Sequence, residues 1–202
     1  MIGSEYSMIN TDIRSMIVSE LKDIYKFIEE DFEYGEYAPY AVLCDQLSSG
    51  IQEGFIFYNE NSDLAYSICA GSHENGYVLI SLLAVFKENR RKGIGSDFIK
   101  AIQRRYSNKK AIILEVERPE LSKSDEEYRL KSLRMEFYKK LGFYHVSGID
   151  YSIWDVPMHL MALPINSAEE MIDHGIEDII HQIYLQLMGE QFIYKLQIVK
   201  VK

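Results

Sequence analysis

Arg90-Arg91-Lys92-Gly93-Ile94-Gly95 is the stretch whose residue types and spacing most clearly promise chemistry. It follows the apolar run 77–86 and opens an amphipathic segment, 94–106, so it reads as a tight turn between a strand and a helix. The start of a helix carries backbone N–H groups without intrahelical acceptors and the positive end of the helix dipole, and it therefore binds anions. Glycines at 93 and 95 leave no side chain between those amides and a ligand. Arg90, Arg91 and Lys92 add long-range attraction. The ligand that such a turn takes carries phosphate.

The spacing narrows the ligand. A mononucleotide P-loop puts four residues between its glycines and a Lys-Ser/Thr after the second, and a dinucleotide fingerprint has three glycines with an acid about twenty residues on. Neither pattern is present. The order here is Leu83-Ala84-Val85, then Arg90-x-x-Gly93-x-Gly95. It resembles the acyl-CoA motif of the GNAT family of N-acetyltransferases, L-x-V followed by Q/R-x-x-G-x-G/A. Downstream, Met135-Glu136-Phe137-Tyr138-Lys139-Lys140-Leu141-Gly142-Phe143 resembles the family's second signature, a helix ending in F/L-Y-x-x-x-G-F. The likeness covers about residues 77–146.

This resemblance implies acetyl-CoA as cosubstrate and no metal. Leu83, Ala84 and Val85 on the strand, with Arg90, Arg91, Lys92, Gly93, Ile94, Gly95 and Ser96 at the turn, would hold the cofactor. It also implies that two neighbouring strands part to admit the pantetheine arm. A main-chain N–H within 83–85 would polarise the thioester carbonyl, and Tyr138 would protonate the departing thiolate. Without the resemblance, Tyr138 is a packed helix tyrosine and the basic turn a solvated one.

The group that takes the amine's proton is not given by the family pattern. Some members place a glutamate on the cofactor strand, where this chain has Leu79, Ile80 and Ser81. Glu115 and Glu117 alternate onto one face of the next strand and line an amine pocket in one reading. In the other they face solvent or pair with Arg118. Glu117, nearer the strand's C-terminal end, is the catalytic candidate of the two. Glu120 stands where many members have an asparagine.

Composition bounds the rest. A chain of 202 residues, 47% hydrophobic and 26% charged, suits one globular domain with an appendage. No apolar run reaches the roughly 20 residues of a membrane span, and residues 1–12 lack a basic-then-apolar leader pattern, so a cytoplasmic protein with no membrane partner is expected. Cys44 and Cys69 fit reduced, packed thiols. The net charge of −9 disfavours nucleic acid and favours a cationic amine as acceptor. His73, His145, His159, His174 and His181 are scattered without ligand spacing, which argues against a metal site. Trp154, Tyr144 and Tyr151 either border the substrate cleft or pack in the core.

The elements follow from periodicity. Thr11 or Asp12 caps a helix with apolar residues at 13, 16, 17, 21, 24, 27 and 28, and Pro39 opens a second helix to Leu47. Runs 54–58, 64–70 and 77–86 are strands, then come the motif helix and strand 111–117. A crossover of that length makes 77–86 and 111–117 parallel neighbours. Ser124, with Glu127 as capping-box partner, starts a helix with a stripe of Leu130, Leu133, Phe137 and Leu141, stopped at Gly142. Strands 143–154 and 158–163 surround Asp155-Val156-Pro157. Ser167 caps a helix to Leu187, and 192–201 alternates as a last strand. The expected fold class is α/β (α+β), a GNAT-like mixed, mostly antiparallel sheet flanked by helices. Residues 1–165 form the acyltransferase domain and 166–202 an extension packed on it or on a partner subunit, as in a homodimer. Acetyl transfer to a primary amine is the leading function. A non-catalytic CoA-binding sensor of the same fold is the alternative.

Overall fold

A computed structural model of the chain describes residues 11–71 and 75–201. His73 and most of the segment read above for a leader lie outside these residues. In chain order the elements are β1 (Asp12–Ser15), α1 (Leu21–Asp31), α2 (Tyr40–Ser49), β2 (Gln52–Tyr58), β3 (Asp63–Gly71), β4 (Tyr77–Val85), α3 (Ile94–Arg105) and β5 (Ala111–Glu117). They continue as α4 (Asp125–Lys140), β6 (Tyr144–His145), β7 (Ile149–Ile153), β8 (Val156–Pro164), α5 (Glu169–Met188) and β9 (Leu196–Lys200). The strands form one sheet in the order β1-β2-β3-β4-β5-β8-β7-β9, with β6 paired to β8. Among the described residues only β4 and β5 run parallel, joined through α3. This is the mixed, mostly antiparallel sheet expected from the sequence.

Alternation along the strands supplies both faces with apolar side chains. On one face Phe98, Ile99 and Ile102 of α3 pack with Val78, Ile80, Ile112, Leu114 and Val116. The other face is divided. Leu21, Ile24, Ile28 and Leu43 of α1 and α2 cover Ile56, Tyr66, Ile68 and Leu82, while Ile172, Ile176, Ile180 and Ile183 of α5 cover Leu79, Ile113 and Leu160. Those four isoleucines are fully buried. Each such burial is worth roughly 1.5–3 kcal/mol, so α5 is part of the core. The two halves of this face meet where Gln46 Nε2 donates to the Leu187 carbonyl, at 2.8 Å. β9 then extends the sheet by pairing with β7.

Local rules account for most boundaries. Pro39 precedes α2 and Gly50 ends it at φ +75°. Ser124 Oγ accepts from Glu127 N, while the Glu127 carboxylate reaches one residue further back than a capping box does, to Lys123 N. The strand 143–154 is split, and the hairpin turn is Trp154-Asp155, at φ +52° and +65°, with Ile153 facing Val156. Two left-handed residues match the twist of the flanking strands.

Four expectations fail, the first being that the last strand starts at 192: a 3-10 turn occupies Ile193–Lys195 and β9 begins at Leu196. Ile13 belongs to β1, paired with Phe57 of β2, and the first α-helix begins only at Leu21. A strand side chain and a real helical stripe happened to share a spacing of three and four. Leu130 and Leu133 are exposed, because α4 rests on the sheet only through its second half, where Tyr138 is buried and Met135 and Phe137 pack. The cap position of α5 is Ala168, not Ser167, and carries no side-chain hydrogen bond.

Candidate active site

The turn before α3 is shaped to expose its amides. Arg91 sits at φ +62° and Gly93 at φ +82°, and only glycine takes the second value without strain. A Cβ on Gly95 would lie 3.4 Å from Phe137 Cζ and 3.6 Å from Val85 Cγ2, so this glycine lets α4 and β4 close on the first turn of α3. The Ser96 and Asp97 amides bond to the Gly93 carbonyl. Among the described residues, none of the amides from Arg91 through Gly95 has an acceptor. Arg91 and Lys92 are exposed beside them, and Ile94 is buried beneath. Arg90 is turned away. Its Nε donates to the Val85 carbonyl at 2.8 Å and its Nη2 to Asp31 Oδ1 at 2.5 Å, with Tyr66 donating to the other Asp31 oxygen. One of the three cations thus braces the turn against α1.

Upstream of the turn, β4 and β5 separate. Their pairing runs from Tyr77↔Ala111 to Ile80↔Leu114 and stops, although β4 continues to Val85 and β5 to Glu117. At the same point β4 has a bulge: Ile68 pairs with Leu82 and Cys69 with Ile80, which leaves Ser81 as the extra residue. Beyond it β4 stays paired with β3, and Phe86 N donates to the Leu64 carbonyl. By alternation the amides of Leu83 and Val85 then turn away from β3, into the wedge.

Tyr138 enters from α4, among Phe137, Phe143 and the sheet residues Ile80 and Val116. Burial pushes its phenol above the ordinary tyrosine value, opposed by Arg134 one turn earlier. Among the described residues nothing hydrogen-bonds to that phenol. It is a protonated, uncommitted donor.

Carboxylates gather on the opposite face of β5. Glu117 is held by Arg134 through Oε2 and by Lys131 Nζ, 3.4 Å from Oε1. The expected pairing with Arg118 does not form, since Arg118 bonds Asp150 and the carbonyls of Met158 and Tyr151. Glu115 is gripped by two phenols, Tyr151 from β7 and Tyr184 from α5, the second at 2.7 Å. Burial raises the Glu115 carboxyl above the usual carboxylate range, the two phenols pull it back, and the charge of Glu36 adds to the rise. Glu36, from the segment joining α1 and α2, is itself raised by burial and also feels Glu117. Of the three aromatic residues read as either bordering the cleft or packing in the core, Tyr151 is buried against Glu115, Tyr144 bonds Asp173, and Trp154 packs on Phe192 at the far hairpin.

Residues 51–145 match the model of the acetyltransferase (GNAT) domain. The chain carries a GNAT acetyltransferase domain. Among curated proteins none matches it significantly. Solved structures share the fold: a protein described as a GNAT-family acetyltransferase from Bacteroides thetaiotaomicron is 22% identical, with TM-score 0.67 over 85% of this chain and 97% of that one. The ribosomal-protein-S18-alanine N-acetyltransferase of Escherichia coli (19%, TM-score 0.55, 79% and 97% covered) and the spermidine N-acetyltransferase of Vibrio cholerae (11%, 0.57, 76% and 93%) share it too. The GNAT domain supports acyl-CoA-dependent acyl transfer as the general activity. The named acceptors of these neighbours, one peptidyl and one a polyamine, show that the fold does not choose the acceptor.

The amides of 91–95 and the strand edge at 83–85 fit a pyrophosphate and pantetheine. Among the described residues no group of His, Cys, Asp or Glu is placed to hold a metal ion, and no helix is long and apolar enough to cross a membrane. Sequence reasoning missed Glu36 and Tyr184. Tyr184 sits within the isoleucine stripe of α5, and a hydroxyl on a buried stripe was the one signal that it had a partner.

Proposed function

We propose that this protein transfers an acetyl group from acetyl-CoA to a primary amine by direct attack. The observation that carries the reading is the opening of β4 from β5 directly ahead of the free amides of 91–95. The turn grips the diphosphate, the pantetheine arm takes the vacant edge of β4, and the thioester comes to lie beside Tyr138. An N–H of Leu83 or Val85 bonds the carbonyl oxygen as it gains charge. The Tyr138 phenol supplies a proton to the leaving sulfur. Glu36 and Glu115, which form no salt bridge among the described residues, favour a cationic acceptor, in keeping with the overall negative charge. Both Glu117 oxygens are engaged by cations, which suits that residue to ordering α4 over the site.

Calorimetry with acetyl-CoA, and release of CoASH over a panel of small and peptidyl amines, tests this. Binding in the micromolar range and release with at least one amine are expected. Binding without release on any amine would make the protein a non-catalytic CoA-binding member of its family, and absence of binding would end the reading.

A further inference from the structure

We propose that Glu115 accepts the proton of the acceptor amine, and that Tyr184, on the helix beyond the matched family segment, holds it in position together with Tyr151. The proposal rests on the transfer reading above. Ile80↔Leu114 is the last rung between the parting strands, so Ser81 and Glu115 are the first residues on either side of the opening. Both phenols donate to the same oxygen, Oε1 of Glu115. Oε2 receives no hydrogen bond from the described residues, and it is not among the side-chain atoms sealed from solvent. Across the opening, the Ser81 hydroxyl oxygen is sealed and has no partner among the described residues. The carboxyl is therefore fixed at one oxygen and free at the other, at the point where the two strands first part.

The surroundings suit proton transfer. Burial and the Glu115 charge keep both phenols protonated well past neutral pH, so they remain donors. The titratable groups around Glu115 are Tyr151 from β7, Tyr184 from α5, Glu36 from the α1–α2 segment, and Glu117 two residues along β5 with its partners Arg134 and Lys131. A carboxyl whose affinity for protons is raised toward neutrality is a better base than an ordinary one.

The step balances. The ammonium gives one proton to Glu115 Oε2, breaking N–H and forming O–H. The freed lone pair forms the C–N bond at the thioester carbon. The C–S bond then breaks with its electrons on sulfur, and the thiolate takes the Tyr138 proton. The nitrogen returns its surplus proton to the phenolate through water, and Glu115 releases its proton to solvent. An ammonium ion and a thioester become an amide, a thiol and a proton.

The test uses the full chain, with glycylglycine, benzylamine and spermidine as probe amines and CoASH release followed from about pH 5 to 9. Glu115→Gln should lower kcat by about 100-fold or more, with acetyl-CoA affinity by calorimetry within about twofold of the parent. Tyr184→Phe removes a donor that favours the charged carboxylate, so the Glu115 pKa rises and the acid limb of kcat/KM moves to higher pH. Tyr151→Phe should act in the same sense, while Glu117→Gln leaves that limb in place. A purely structural role would lower the amplitude without moving the limb. Unimpaired turnover by Glu115→Gln, or a limb that follows Glu117 and ignores Tyr184, overturns the proposal and leaves acetyl transfer standing. Failure of the parent to release CoASH from any probe overturns both, and calorimetry then shows whether the cofactor reading survives. If Glu115→Gln does not fold, the limb shift in Tyr184→Phe decides.

Discussion

The two sides of the wedge are made of different material. On the proposed cofactor side the wall is main chain: the amides of 91–95 and the unpaired edge of β4. Its requirements are local, and a dozen consecutive residues meet them. On the proposed acceptor side the wall is made of side chains: Glu36 from a connection, Glu115 from β5, Tyr151 from β7 and Tyr184 from α5. A backbone cradle binds whatever shares the common cofactor's phosphates, and it changes little when surface residues do. A pocket assembled from distant side chains is redrawn by single substitutions, which is how one fold serves many acceptors.

The contrast can be broken hardest at α5. Deleting residues 167–202 uncovers Ile113, Leu160 and Leu79 and removes four buried isoleucines, a loss of about 6–12 kcal/mol at the usual worth per side chain, comparable with a whole domain's stability. The truncated chain should be insoluble on expression. A soluble, acetyl-CoA-binding truncation would separate the acceptor side from the fold altogether.

Next in size is Tyr138→Phe. The loss of its proton should cost about 100–1,000-fold in kcat while the calorimetric affinity for acetyl-CoA holds. Because burial raises this phenol, the parent keeps the proton through neutral pH and loses rate only as pH rises through the elevated value. That alkaline limb should vanish in the variant.

Smaller effects sharpen the claim that the cofactor side is backbone. Gly95→Val places branches where a Cβ already stands 3.4 Å from Phe137, and it should weaken acetyl-CoA by roughly 10- to 100-fold. Arg91→Ala and Lys92→Ala should each cost only about two- to fivefold, an effect fading above 0.5 M salt as screening predicts. If the cations outweigh the glycine, side chains make the cradle. Smallest is Gly93→Ala, which has room for a methyl but a φ of +82°. It should lower stability by about 1 kcal/mol, read as a fall of a few degrees in Tm.

What the sequence disclosed divides along the same line. The open glycine turn ahead of α3 and the place of Tyr138 near the end of α4 were legible because each depends on residues a few positions apart. The parallel β4–β5 pair followed from crossover length. The pairing of Arg90 with Asp31 was not legible, because Asp31 lies on another helix and no local spacing announces a salt bridge 59 residues long. Glu115 was visible as one of two carboxylates on a strand face. What distinguishes it from Glu117 is which side chains arrive from β7, α4 and α5, and that depends on packing. The first helix was mistaken because periodicity cannot tell a strand residue from a helical one when the two elements abut.

Tyr184 lies 69 residues beyond the carboxylate it bonds. Translation delivers the chain from its N-terminus, so the cradle and the phenol of Tyr138 leave the ribosome while the last ligand of Glu115 is still inside it. A nascent chain at that stage still has Leu79, Ile113 and Leu160 uncovered, so its sheet is not yet settled and neither side of the wedge is fixed. The same helix that closes this face of the sheet also brings the second phenol to Glu115, so folding and the proposed acceptor side are completed in one step.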